Sequence, residues 1–339
     1  MVKGLLDESI RILKELLVKV PVIENIQITD RSEQEFTVNF RERGNGTVYI
    51  SVICLNRAVP SAVKEALEKN NTDFYRIIMA PYISEASALI CEKSSVGYCD
   101  FSGNCLIQTD RIYISSKGNP NLYPSDNHAK TIFKSTAITT SMILRELMKD
   151  VSREWKIKEL AETVGCSIGM ASRVKTYLCE QSWASMDSAG FHITDAESLM
   201  KEWGRSYEVS DSINCYTLDS IPLFEEKCFK AFQEHGIQLC LSGFSGGVRY
   251  APVVRYTKAH VWVARENLST FFDLTGIKRV DSGANVTVYI ADSPDVFVDR
   301  RVINNSSVAS PVQVFLDCTQ LKGRGEEIAE AVLAKEICG

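Results

Sequence analysis

The residues of this chain with the widest chemical reach are carboxylates, thiols and imidazoles, and their spacing decides what they can do. Asp100 follows a predicted short strand, Val96 to Cys99. An Asp there, with Glu-x-Lys on the next strand, would bind a divalent metal and stabilise a leaving oxyanion, which is metal-dependent nuclease chemistry. The next strand reads Asn104-Cys105-Leu106-Ile107-Gln108, without Glu or Lys. Asp100 therefore reads as a turn residue beside Gly103 and Asn104. A second candidate is Leu241-Ser242-Gly243-Phe244-Ser245-Gly246-Gly247, a small-residue turn after the strand Gln238 to Leu241. Nucleotidyl transfer would need two alternate carboxylates on the following strand to hold magnesium. That strand is His260-Val261-Trp262-Val263, with His and Trp at the acid positions. No catalytic residue is assigned at either place, and an enzyme is not expected.

Eleven cysteines are scattered without a single Cys-x-x-Cys. Most sit among apolar neighbours, as in Ile53-Cys54-Leu55 and Leu239-Cys240-Leu241, where a thiol behaves as a small hydrophobe. The four histidines, His128, His192, His235 and His260, form no ligand pair. Neither a metal nor a cofactor is expected. No apolar run approaches the roughly 20 residues that span a bilayer, and the start, Met1 to Glu8, has acids where a signal peptide would be basic and then greasy. A cytoplasmic protein without a membrane partner is expected. The formal charge of -5 opposes broad phosphate contact, so nucleic-acid binding would be modest and salt-sensitive unless a homodimer or a partner raised it.

The elements that position these residues follow from hydrophobic period. Leu5, Leu6, Ile10, Leu13, Leu16 and Leu17 have helical spacing, whereas Glu35 to Phe40 and Thr47 to Ile53 alternate as strands around Gly44-Asn45-Gly46. Val59 to Leu67 and Ser84 to Glu92 read as helices and Phe74 to Met79 as a strand, giving a mixed α/β domain over residues 1–125. Ser115 to Asn127 is dense in Gly, Pro, Asn and Ser and reads as a linker.

Residues 135 to 195 predict a winged helix-turn-helix. Thr136 to Met148, with Ile138, Met142, Ile143 and Leu147 inward, is the supporting helix. Ile157, Leu160, Ala161 and Val164 share one face of the next, which Gly165 ends by taking the left-handed cap cheaply. Ser167 caps a third helix, Ile168 to Glu180, with Ile168, Ala171, Val174 and Leu178 inward. Trp183 to Met186 and Phe191 to Thr194 bracket the turn Asp187 to Gly190 as a wing. The exposed face of the third helix carries Ser167, Gly169, Met170, Ser172, Arg173, Lys175 and Thr176. Arg173 can fork onto a guanine and Ser172 can take several bases. Lys175, Thr176 and the helix N-terminal amides suit phosphate.

Several further segments, taken in order, resemble the AbiEi antitoxins of type IV toxin-antitoxin (abortive-infection) systems: Ala80-Pro81-Tyr82-Ile83-Ser84, Val96 to Asn104, Ser242 to Ser245, Ser282-Gly283-Ala284-Asn285-Val286, Ser310 to Asp317 and Gly323 to Glu327. Gly243, Ser245, Arg249, Ser310, Asp317 and Arg324 match that family's motifs, with Asp317 read as a cap or a partner of Arg324. The resemblance implies a repressor that binds double-stranded DNA of its own promoter and opposes a nucleotidyltransferase-type toxin. The expected architecture is multidomain α/β: an inactive restriction-endonuclease-like domain (1–125), the winged helix-turn-helix (130–205) and an inactive nucleotidyltransferase-like domain (206–339). The alternatives are a divergent metal-dependent nuclease acting through the N-terminal domain, and an interaction scaffold that does not bind DNA.

Overall fold

The computed structural model describes residues 4–44, 46–69, 72–124, 132–133, 137–209 and 211–339. Asn45 of the expected hairpin turn, residues 125–127 of the expected linker, His128, and residues 135 and 136 of the expected helical module lie outside them. The chain forms two compact units, residues 1–127 with 180–182, and residues 128–179 with 183–339.

The first unit opens with helix α1 (Leu5–Val18) and has a seven-stranded sheet in chain order: β1 (Ile23–Thr29), β2 (Glu35–Glu42), β3 (Thr47–Cys54), β4 (Tyr75–Ala80), β5 (Gly97–Asp100), β6 (Cys105–Gln108) and β7 (Tyr113–Ser116). Helices α2 (Pro60–Lys69) and α3 (Glu85–Lys93) are the crossovers that let β3, β4 and β5 run parallel, while the outer strands pair antiparallel through short turns. Side-chain alternation divides the core. Ile77 and Met79 pack with Leu13 and Leu17 of α1, whereas Ile78 and Ala80 pack with Val63 of α2 and Ala88 of α3. Ser115 and Ser116, read from the sequence as linker, belong to β7 instead.

In the second unit, helices α4 (Ile138–Lys149), α5 (Ile157–Val164) and α6 (Ile168–Glu180) precede a hairpin of β8 (Ala184–Met186) and β9 (Phe191–Ile193), the order read from the sequence. Helix α7 (Ala196–Ser206) leads into a second seven-stranded sheet. Its strands are β10 (Ser212–Tyr216), β11 (Leu239–Leu241), β12 (Ala259–Ala264), β13 (Lys278–Arg279), β14 (Val286–Ala291), β15 (Arg301–Val302) and β16 (Ser307–Val308), in the order β13-β10-β14-β12-β11-β16-β15. Helices α8 (Ile221–His235) and α10 (Leu268–Thr275) cover one face through Phe224, Ala231 and Phe271 against Val261, Val263 and Val288. Helices α9 (Gly243–Tyr250), α11 (Pro311–Thr319) and α12 (Arg324–Val332) belong to the other core, which holds Cys240 and Trp262.

That core also contains Ile143, Leu147, Trp155, Leu160, Val174 and Phe191 from the segment α4 to β9, joined through Leu199 and Trp203 of α7 to Phe315 and Ile328. Buried side chains of residues 130–205 and of residues 206–339 thus share one apolar cluster. The segment Gly243 to Gly247, read as a turn, is the first part of α9. Glycine is a poor helix former, but a Cβ on Gly246 would lie 2.8 Å from the Leu241 carbonyl oxygen, and one on Gly247 would lie 2.2 Å from Ile328 Cγ2. The glycines let α9 press against its neighbours, and packing overrides propensity.

Candidate nucleic-acid interface and the polar core behind it

The turn between α5 and α6 is built from the bottom up by two residues. Gly165 ends α5 at φ 74°, its N–H bonding the carbonyls of Ala161 and Glu162. A Cβ is disfavoured in that left-handed conformation. Ser167 Oγ accepts the Met170 N–H at 3.2 Å and so caps α6. Leu160 and Ala161 of α5, and Ala171, Val174 and Leu178 of α6, are buried as their spacing predicts. Ile168 is not: expected inward, it is 54% exposed. Ile138 of α4, also expected inward, is 42% exposed. Each is the first residue of its helix, and a helical side chain covers the turn that precedes it. At the first position that turn is missing.

Ser167, Gly169, Arg173 and Thr176 are exposed, and Met170, Ser172 and Lys175 are half-buried. With Ile168 added, positions 168, 169, 172, 173 and 176 form one stripe along α6. Arg173 Nη2 reaches Met170 Sδ at 3.6 Å, so the thioether steadies the guanidinium. The surrounding charge is thin. Residues 135–195 hold seven basic and eight acidic side chains. Arg145 is buried, and Lys149, Arg153 and Lys158 are paired with Glu146, Glu159 and Glu162. Among the described residues Lys156, Arg173 and Lys175 have no carboxylate within ion-pair distance.

The hairpin gains a third member from Trp155, whose N–H and carbonyl bond those of Phe191 at 2.8 and 2.9 Å. The Arg153 guanidinium lies 3.7 Å from the Trp155 ring centroid. At the hairpin tip, Asp187 Oδ1 accepts the N–H groups of Ala189 and Gly190, which hold its carboxyl below the usual carboxylate range. The tip is therefore an exposed anion.

Behind the helices lies a polar network whose members the sequence reading did not bring together. Asp317 of α11 is fully buried and accepts from Ser242 Oγ, Trp262 Nε1 (2.6 Å), Tyr207 Oη (3.0 Å) and Gln313 Nε2 (2.8 Å). Burial pushes its carboxyl up to about 6 while those four donors oppose the shift. Gln313 Oε1 accepts Arg145 Nη2 at 2.5 Å, and Arg145 Nε donates to Ser141 Oγ, which donates to Asp295. The expected pairing of Asp317 with Arg324 does not occur, since Arg324 donates to the Arg255 carbonyl oxygen. Buried Asp317 satisfies itself on donors from the residue that caps α7, the residue that caps α9, β12 and its own helix.

His260 is buried between Phe244 and Tyr289, with Gly243 pressed against its ring, and burial lowers its pKa to about 3. Ser310 caps α11 by accepting the Gln313 N–H, and half-buried Arg249 forms an ion pair with buried Glu225 at 2.8 Å. The motif residues thus act in packing and internal hydrogen bonding. In the first unit the Asp100 carboxylate accepts the N–H groups of Ile83 and Asn104 and the Asn104 side-chain amide, and its carbonyl accepts the Gly103 N–H. This is the turn role read from the sequence.

Among the described residues no group of three or more His, Cys, Asp or Glu is placed to hold a metal ion. Among them, too, no helix is long and apolar enough to cross a membrane. No curated protein and no solved structure matches the chain. Residues 192–338, from the second hairpin strand to the C-terminal helices, match the family model described as transcriptional regulator, AbiEi antitoxin, type IV TA system, and over that stretch the resemblance read from the motifs holds.

Proposed function

We propose that the protein is a DNA-binding transcriptional regulator, the autorepressing antitoxin of a type IV toxin-antitoxin system. Residues 135–195 act as its winged helix-turn-helix. Helix α6 enters the major groove, with Arg173 and Ser172 toward base edges and Lys175 and Thr176 toward phosphate. Ser167, Gly169 and Met170 complete the face. Residues 206–339, a nucleotidyltransferase-like scaffold without catalysis, oppose a nucleotidyltransferase-type toxin, and residues 1–125, a restriction-endonuclease-like fold, add contacts rather than cleavage.

One observation carries this reading. The exposed stripe of α6 with Arg173, and Lys175 beside it, both free of acidic partners among the described residues, belongs to the same compact unit as the residues that match the antitoxin family. The duplex from the protein's own promoter is the first ligand to test. Two or three free cations predict a slope of log K on log salt between about -2 and -3 per protomer. Replacing Arg173 and Lys175 together by Ala is expected to weaken binding and flatten that slope. Unchanged affinity in the double variant would overturn this face as the interface. No binding to any duplex would leave the interaction-scaffold reading. Co-purification with the product of the neighbouring reading frame tests the toxin partner.

A further inference from the structure

Ile168 sits where packing does not call for it. It is the first residue of α6, more than half exposed, and the backbone beside it is bare: a Cβ on Gly169 would meet nothing within 4 Å. It is aligned with Ser172, one turn further on, and Arg173 lies at the flank of the stripe already described, so a duplex seated on α6 can meet all three. The module is also close to electrically neutral, with seven basic against eight acidic residues. Such a surface gains little from phosphate neutralisation and must draw its preference from short-range contact.

In the major groove each base pair shows donors and acceptors, and the thymine C5-methyl is the one apolar group. An isoleucine on the groove floor can use no other feature. Arg173, steadied by Met170 Sδ, offers the fork that suits guanine O6 and N7. The two residues are five positions apart, about 7.5 Å along the helix axis, or about two base steps. Resting on the DNA-binding reading above, we propose that α6 selects a duplex by apolar contact: Ile168 packs on the methyl of a thymine about two base pairs from a guanine read by Arg173.

The test uses the full chain and a random double-stranded DNA library. After rounds of selection, the enriched duplex is remade with uracil for thymine, one position at a time, which removes only the methyl. One position, about two base pairs from a required guanine, is expected to lose about fourfold in affinity, the worth of one methyl withdrawn from water. The same uracil should cost the Ile168→Ala variant nothing. That exposed substitution leaves the fold intact, which circular dichroism checks. An enriched duplex in which uracil replaces thymine everywhere without loss would overturn the inference and leave DNA binding standing. A library that does not enrich would overturn both. A loss on uracil that persists unchanged in Ile168→Ala would assign the methyl to another residue and reject the role of Ile168.

Discussion

Asp317 and His260 are buried within the same sheet-and-helix core but respond to acid in opposite directions. Burial raises the Asp317 carboxyl from 3.8 to about 6. Between these values the folded protein holds a proton that the unfolded chain has released, so this group alone makes stability fall as pH rises from about 4 to 6. Burial lowers His260 from 6.5 to about 3. Between those values the unfolded chain holds a proton that the folded protein lacks, so His260 makes stability rise with pH. The two contributions oppose each other between pH 4 and 6. Urea unfolding at pH 4, 5 and 6 is expected to separate them. Asp317→Asn should leave stability rising with pH, and His260→Gln should leave it falling, each changing the slope by up to about 1.4 kcal/mol per pH unit. Parallel slopes in both variants would contradict the assignment. Charge at the hairpin tip is tested separately. Asp187→Asn keeps an oxygen for the Ala189 and Gly190 N–H groups but removes the exposed anion at the tip of the proposed wing. Binding is expected to tighten by about twofold to threefold in 0.1 M salt and to converge on the parent protein at high salt, where screening removes the difference.

At the scale of elements, helix α9 depends on an absent side chain. A Cβ at Gly247 would stand 2.2 Å from Ile328 Cγ2 on α12. Gly247→Ala should therefore cost about 1–3 kcal/mol in thermal unfolding despite alanine's better helix propensity. Adding Ile328→Ala should make the pair non-additive, since the second change removes the atoms that the first one strikes. A stabilised Gly247→Ala protein would show that α9 and α12 are not pressed together. This helix also marks where the sequence was hard to read. Gly-Phe-Ser-Gly-Gly looks like a turn locally, and contacts with residues as far as Ile328, 81 positions on from Gly247, hold it as helix. Strand β1 is hard to read for another reason: none of its residues is fully buried, and its register with β2 shifts between Glu24 and Gln27, so it lacks a clean alternation. The α5–α6 pair was legible because Gly165 and Ser167 act locally and fix the register of both helices. Of the candidate face, the polar residues followed from that register, whereas Ile168 was counted as core because periodicity does not know where a helix begins. Arg145 was missed because an arginine in an amphipathic helix reads as solvated. Its partner Gln313 lies 168 residues away.

Across the second unit, the continuity of the buried cluster bears on how the molecule melts. Phe133 has its ring centroid about 6 Å from those of Tyr177, Trp183 and Trp203, and Gly204 of α7 lies so close to α11 that a Cβ would meet Thr319 Cγ2 at 3.0 Å. Arg145 of α4 reaches Gln313 of α11 across the junction between residues 130–205 and residues 206–339. Residues 130–205 taken alone would expose Trp203 and Leu199 and leave Arg145 without its glutamine. A fragment of residues 128–339 is therefore expected to unfold in one calorimetric transition, with equal calorimetric and van't Hoff enthalpies. Arg145→Ala should move that single transition down by an amount corresponding to about 3–5 kcal/mol, because it removes the cation facing buried Asp295 and the donor to Gln313 Oε1. Arg145→Met, which fills the volume without a charge, should cost less. Two transitions, with only the lower one moved by Arg145→Ala, would instead mean that α4 to α6 and the hairpin fold independently of residues 206–339. In that case occupancy of one surface could not be felt mechanically at the other. A single transition means that any ligand ordering residues 206–339 also stabilises the helices that hold α6, by the free energy of its own binding.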